Sequence, residues 1–341
     1  MADKIRKQTS SKIAKKLQSK KLMVEMRNTS LDFGGGAGVF DLKFELPPGT
    51  ILGLIGPSGC GKTTTIRLVN GVLRPTAGEV HVFGKAPHAF SDEERDKIGY
   101  IPQQFILYPN LSVRENMHFL GSIYGMPREE RIASMERLLE FVELSEASDR
   151  LGAKLSGGMQ RRLMLAGALM HHPDLLIADE PTAGIDPILR ARIWENFRAL
   201  RDEGKTMIVT TQYVGEAAFC DLVAVMRRGR LVIVDSPRAL QRKSMGGEVI
   251  QIQIPQRRMK ATHQFLEKQA MVQRVELKPN TEDMLFVFVN DAGKDLPNLL
   301  NLLRDKKNLT PTVAEPYLPS FDEVFVRLIS QDEETEKEKV Q

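Results

Sequence analysis

Residues 51 to 63 read Ile51-Leu52-Gly53-Leu54-Ile55-Gly56-Pro57-Ser58-Gly59-Cys60-Gly61-Lys62-Thr63, an apolar run passing into a loop of the form G-x-x-x-x-G-K-[ST]. The residues before Gly56 suit a buried strand, and Thr64 to Asn70 suit a helix that Gly71 stops. A glycine-rich turn alone would be an ordinary loop. Between that strand and that helix the pattern carries chemistry, because glycines let the backbone curl until successive N–H groups and the helix N-terminus face an anion. Lys62 adds a point charge for β- and γ-phosphates, and the Thr63 hydroxyl can ligate Mg²⁺. The expected fold is therefore α/β, of the phosphate-loop NTPase kind.

A second apolar run, Leu175-Leu176-Ile177-Ala178, also reads as a buried strand and ends in Asp179-Glu180. Ligands of open α/β sheets bind at the carboxyl ends of strands, so Asp179 is placed to hold Mg²⁺ directly or through water. Two adjacent carboxylates by themselves are usually a solvated surface pair; here Leu155-Ser156-Gly157-Gly158-Met159-Gln160-Arg161-Arg162 precedes the strand and Pro181-Thr182-Ala183-Gly184-Ile185-Asp186 follows it.

That order of motifs resembles the ATP-binding-cassette ATPases over residues 22 to about 240, roughly two-thirds of the chain. The resemblance implies a cassette with a RecA-like core and a helical subdomain at about 104–165, binding ATP with Mg²⁺. The nucleotide would be held by Gly56, Pro57, Ser58, Gly59, Cys60, Gly61, Lys62, Thr63 and Thr64. A second copy would contribute Ser156, Gly157, Gly158 and Gln160, with Asp186 following the carboxylate pair. Thr63, Asp179 and Gln103 would serve the metal, with Gln104 the neighbour most easily confused with Gln103. Glu180 would deprotonate the attacking water, and Lys62 would serve catalysis as well as binding. Phe33 is placed like the aromatic that stacks on adenine, with Phe40 the alternative because Gly34-Gly35-Gly36-Ala37-Gly38 blurs the register. One position departs from the pattern. Gln212, in Thr210-Thr211-Gln212-Tyr213, stands where most of the family has a γ-phosphate-contacting histidine; an amide can donate there but carries no charge. Daunorubicin-resistance-type export ATPases share Thr-Thr-Gln-Tyr, which points to a subtype.

With 341 residues and 42% hydrophobic content the chain can fill two domains. No stretch reaches eighteen apolar residues, and the first 21 residues contain no apolar core for a signal peptide, so the expected location is cytoplasmic, peripheral on the inner membrane face. Residues 1–21 carry eight basic side chains against Asp3, a net of +7, and the chain total of +4 leaves −3 for the remainder. A nucleic-acid platform needs a basic folded face, so that partner class is excluded. The tail itself reads as disordered and solvated, or alternatively as attracted to anionic lipid. Of the two cysteines, Cys220 ends an apolar run and reads as buried, whereas Cys60, at a helix N-terminus beside Lys62, reads as a reactive thiol.

After a cassette at 22–244, residues 245–330 read as a small α+β module. Its order β-α-β-β-α-β is ferredoxin-like, and it is followed by a last helix opening at Ser320-Phe321-Asp322-Glu323 and by a charged, disordered tail at 331–341. This extension resembles that of ABC-2-type exporter ATPases. The resemblance implies a homodimeric motor that clamps two ATP and drives a separate membrane-spanning permease, docked near Gln103 to Tyr124. The alternatives are an importer ATPase, a soluble non-transport ATPase of the same family, and a regulatory ATP-binding module. The cargo is chosen in the permease and is not written in this chain.

Overall fold

The computed structural model describes residues 22–340, with side chains to residue 334; the basic segment 1–21, and the expectation attached to it, lie outside the described residues. The chain divides into two compact units at Ser236/Pro237.

The first unit runs β1 (Val24–Gly34), β2 (Ala37–Leu46), β3 (Ile51–Ile55), α1 (Lys62–Val69), β4 (Ala77–Val82), α2 (Asp92–Arg95), β5 (Ile98–Ile101), α3 (Val113–Ile123), α4 (Arg128–Phe141), α5 (Gly157–Leu169), β6 (Leu175–Asp179), α6 (Pro187–Asp202), β7 (Thr206–Thr211), β8 (Leu222–Arg227) and β9 (Arg230–Asp235). Strands β2-β1-β4 form an antiparallel sheet. The main sheet has the order β5-β6-β7-β3-β8-β9, parallel except where β9 turns back against β8. Every residue of β3, β6 and β7 is buried, the pattern of parallel strands covered on both faces. Leu46, Leu54, Ile66, Val82, Ile177 and Met226 share one core. Because parallel strands deliver their carboxyl ends to one edge, and β7 lies between β6 and β3, three segments meet there: the loop after β3, Asp179-Glu180 and Thr210-Thr211-Gln212.

The region expected as a helical subdomain contains α3, α4 and the first turns of α5. A capping box starts α3: Ser112 Oγ accepts from the Glu115 N–H at 3.2 Å, and the Glu115 carboxylate accepts from the Ser112 N–H at 2.7 Å. One turn in, the fully buried Asn116 pins the preceding loop. Its Nδ2 donates to the carbonyls of Tyr108, Leu111 and Ser112 at 3.0, 3.2 and 2.9 Å, and its Oδ1 accepts from the Tyr108 N–H at 2.9 Å.

The second unit runs α7 (Pro237–Met245), β10 (Glu248–Gln253), α8 (Met259–Leu266), β11 (Val272–Leu277), β12 (Met284–Val289), α9 (Ala292–Lys307), β13 (Val313–Tyr317) and α10 (Phe321–Val340). Its sheet has the order β11-β12-β10-β13, antiparallel throughout, which is the ferredoxin-like arrangement. Alternation along the strands sends Ile250, Ile252, Val287 and Val289 into a core with Leu299 and Leu303. Val249, Phe286 and Phe288 pack with Met245 on the other side.

Two expectations are corrected here. The boundary lies at Ser236/Pro237, before the expected 244/245, because α7 buries Met245 in the second unit and its Gln241 Nε2 donates to the Pro319 carbonyl at 2.9 Å. The segment 331–341, expected as disordered, is helical through Val340, in keeping with a run of Glu, Lys and Gln, all good helix formers. Among the described residues no helix is long and apolar enough to cross a membrane.

Asn116→Ala should destabilise the first unit by about 1–3 kcal/mol, since it strips buried backbone groups of their partners. Denaturation followed by the emission of Trp194, the chain's one tryptophan and fully buried in this unit, measures it. A midpoint equal to that of the unsubstituted chain would contradict the pinning role.

Candidate functional site

The loop after β3 is shaped by two glycines that tolerate no side chain. A Cβ on Gly56 would lie 2.2 Å from the Met226 carbonyl oxygen, and one on Gly61, at φ 109°, would lie 2.7 Å from Val39 Cγ1. Gly61 caps α1, so the first N–H groups of that helix face the loop. Lys62 is buried. Its ammonium donates to the Gly56 carbonyl at 2.9 Å and the Pro57 carbonyl at 3.2 Å, and lies 3.3 Å from Glu180 Oε1. A buried cation needs such partners, and the loop carbonyls and the Glu180 carboxylate supply them.

The carboxylates are oriented by β7. Asp179 and Thr210 are paired in the sheet register, and the Thr210 hydroxyl donates to Asp179 Oδ1 at 2.6 Å. The other oxygen, Oδ2, accepts from the Thr63 hydroxyl at 3.1 Å. Thr210 also accepts, at its Oγ1, from the Glu180 N–H at 2.9 Å. That bond and one from the same N–H to the Thr210 carbonyl at 3.1 Å hold Glu180 at φ 48°, a left-handed conformation that non-glycine residues adopt only when the surroundings enforce it. The Glu180 side chain is then shared: Oε1 faces Lys62, and Oε2 accepts from Gln103 Nε2 at 3.0 Å.

Lys62, Thr63, Asp179, Glu180 and Gln103 are thus brought into one cluster, and the Thr63 hydroxyl beside the Asp179 carboxylate is the hard oxygen donor set that suits Mg²⁺. Gln103, not Gln104, makes the contact with Glu180. The other candidates stand apart. Ser156 and Gly157 are exposed at the start of α5, where Ser156 Oγ accepts from the Met159 N–H at 3.3 Å, and Gln160 Nε2 donates to the Gly152 carbonyl at 3.3 Å. Gly158 lies against Leu189 of α6. Asp186 caps α6, accepting from the Leu189 and Ile188 N–H groups at 3.0 Å, and those bonds, the one from Leu189 foremost, hold its carboxyl below the usual range. Gln212 is exposed just past β7. Phe33 is 59% exposed; Phe40 is packed against Gly229, with the Arg230 guanidinium 5.6 Å over its ring. The free aromatic face belongs to Phe33.

Cys60 is corrected. It is buried, and burial pushes its thiol pKa up, outweighing the opposing pull of Lys62, so it is not the activated thiol that its place beside a helix end suggests. Cys220 is buried as expected, and its thiol is likewise pushed up by burial. Two contributors were missed from sequence. Thr210 orients both carboxylates, and Arg161 Nη1 donates to the Pro102 carbonyl at 3.4 Å, tying α5 to the residue before Gln103. In sequence Thr210 is marked only by its place two residues before Gln212.

The family model for ABC transporter matches residues 39–183. The Nod factor export ATP-binding protein I of Rhizobium sp. (strain N33) is 36% identical over 92% of this chain and 99% of its own length. The protein of the same name from Burkholderia lata is 39% identical over 68% of this chain and 77% of its own length. Among solved structures, a dimeric ATP-binding cassette in a post-hydrolysis state with ADP and Pi superposes with a TM-score of 0.55 at 29% identity, covering 63% of this chain and 98% of that one. With a phosphate loop and carboxylate pair brought together at one sheet edge, and 36% identity to the Rhizobium export protein over 92% of its length, the chain belongs to the ABC transporter family and is an ATP-binding, ATP-hydrolysing member of it.

Proposed function

We propose that this chain is the ATPase motor of an exporter, working as a homodimer in which Ser156, Gly157, Gly158 and Gln160 of each copy close the phosphate loop of the other, and driving a separate membrane-spanning permease. The observation that carries the reading is the contrast within one chain: the phosphate, metal and base residues form one hydrogen-bonded cluster, while the Ser156–Gly157 segment is exposed and makes no hydrogen bond to that cluster among the described residues. The names of the two export relatives support the direction of transport. Exposed Ile106, Tyr108, Phe119 and Ile123, an apolar group within the segment 103–124, support the permease docking there, at the inner membrane face.

In this mechanism the loop N–H groups and the helix end receive the phosphates, and Phe33 offers its open ring to adenine. The Lys62 ammonium transfers from Glu180 and the loop carbonyls to phosphate oxygens. Mg²⁺, held by Thr63 and Asp179, would supply charge neutralisation at the β- and γ-phosphates. Glu180, released from Lys62 and still oriented by Gln103 and its backbone bonds to Thr210, accepts the proton of the attacking water. Gln212 donates its amide to a γ-phosphate oxygen, a neutral contact in place of a cationic one.

Glu180→Gln should keep nucleotide binding while phosphate release falls at least about a hundredfold, since a general base typically contributes 10² to 10⁴. Near-normal phosphate release would remove Glu180 from that role. The sharing of the site is tested separately. Lys62→Ala and Ser156→Ala chains, each inactive alone, should regain activity on mixing, because a mixed dimer rebuilds one intact site. Activity that never rises above the mean of the two variants would contradict the shared site.

A further inference from the structure

Behind the cluster, α6 and the short 3-10 helix Val214–Phe219 that follows Gln212 are clipped together by facing rows of side chains. Arg190, Trp194 and Arg198 recur every fourth residue on α6 and share a face. Tyr213, Glu216 and Phe219 recur every third residue, the spacing that aligns side chains on a 3-10 turn. The rows meet rung by rung. The Arg190 guanidinium lies 4.0 Å over the Tyr213 ring, and its Nε is 3.5 Å from Glu216 Oε1. Trp194 stacks on Phe219 with centroids 5.3 Å apart, and Arg198 lies 5.3 Å over the same ring.

The middle rung is an unfavourable one to keep for stability alone. Glu216 is 2% exposed, and among the described residues neither of its carboxylate oxygens, nor Arg190 Nε, nor the Trp194 Nε1 has a hydrogen-bond partner. A buried ion pair at this separation without a hydrogen bond returns little of the cost of desolvating its charges. The ends of the ladder give it a purpose. Asp186 caps α6 one turn before Arg190, whose N–H donates to the Asp186 carbonyl at 3.0 Å, and Gln212 immediately precedes Tyr213.

We propose that Glu216 and Arg190 are positioning residues that tie Gln212 to Asp186, so that a second copy arriving at Asp186 sets the Gln212 amide on the γ-phosphate. The inference rests on the role assigned above to Gln212 and on the proposed homodimer, and adds that the second copy meets Asp186, the cap of α6. A double-mutant cycle on the full chain tests it, with kcat and KM for MgATP measured for Glu216→Gln, Gln212→Ala and their combination. Glu216→Gln should lower kcat about tenfold with KM nearly unchanged, and the combination should be no slower than Gln212→Ala alone, because Glu216 acts through Gln212. Trp194 adds a spectroscopic readout: its emission should respond to MgATP in the unsubstituted chain and lose that response in Glu216→Gln. Arg190→Lys, which keeps the charge but not the planar contact with Tyr213, carries the same expectations should Glu216→Gln fail to fold. Losses that multiply in the combined variant, or a Trp194 response that survives both substitutions, overturn the coupling. If Gln212→Ala is as fast as the unsubstituted chain, the role of Gln212 itself fails and the coupling with it; multiplying losses alongside an impaired Gln212→Ala overturn the coupling alone.

Discussion

A lysine ammonium taken out of water at the edge of the main sheet is the constraint around which the site is arranged. Lys62 is buried against the Gly56 and Pro57 carbonyls and the Glu180 carboxylate, and a buried charge without such partners would be expelled or neutralised. An anion at the loop must therefore outcompete the Glu180 carboxylate, the base in the proposed mechanism. Until phosphate oxygens draw Lys62 away, one Glu180 oxygen faces the ammonium and the other faces Gln103.

Strand order makes that arrangement possible. Only because β7 lies between β6 and β3 can one residue, Thr210, bond Asp179 with its hydroxyl and hold Glu180 in a left-handed conformation with the acceptor face of that hydroxyl and its own carbonyl. Gln103 reaches the same carboxylate from the segment leading to α3, a segment whose course is held by Asn116 and by Arg161 of α5. The helices and Glu180 are thus joined through directional polar contacts.

The local features were legible in sequence because they rest on short-range rules. Gly59 and Gly61 take positive φ in the turn between strand and helix, and Asp179 ends an apolar run that is buried at each position. The split βαβ order of the second unit followed from period-two alternation, as in Val249 to Ile254, and turn signals such as Pro279-Asn280-Thr281. What sequence did not disclose depends on partners distant along the chain. The helix-end argument for a reactive Cys60 was sound electrostatics, yet burial of the thiol outweighs it. Thr210 is an ordinary strand threonine until its register with Asp179 is known. The difference in exposure between Phe33 and Phe40 needed the packing of Phe40 on Gly229, and the boundary at Ser236/Pro237 needed the burial of Met245 beside Phe286 and Phe288. The helix through Val340 was set aside as a charged tail although its residues are good helix formers.

Lys62 should exchange Glu180 for phosphate only within a site that two copies complete. The most direct measurement is an experimental structure of the Glu180→Gln chain with MgATP. Two chains should enclose two nucleotides, with the Lys62 ammonium moved from the Gly56 and Pro57 carbonyls to phosphate oxygens and Ser156 of the second copy within about 3 Å of the same γ-phosphate. A nucleotide bound by one chain, with Lys62 still on the loop carbonyls or with the site closed by that chain's own Ser156, would contradict that arrangement.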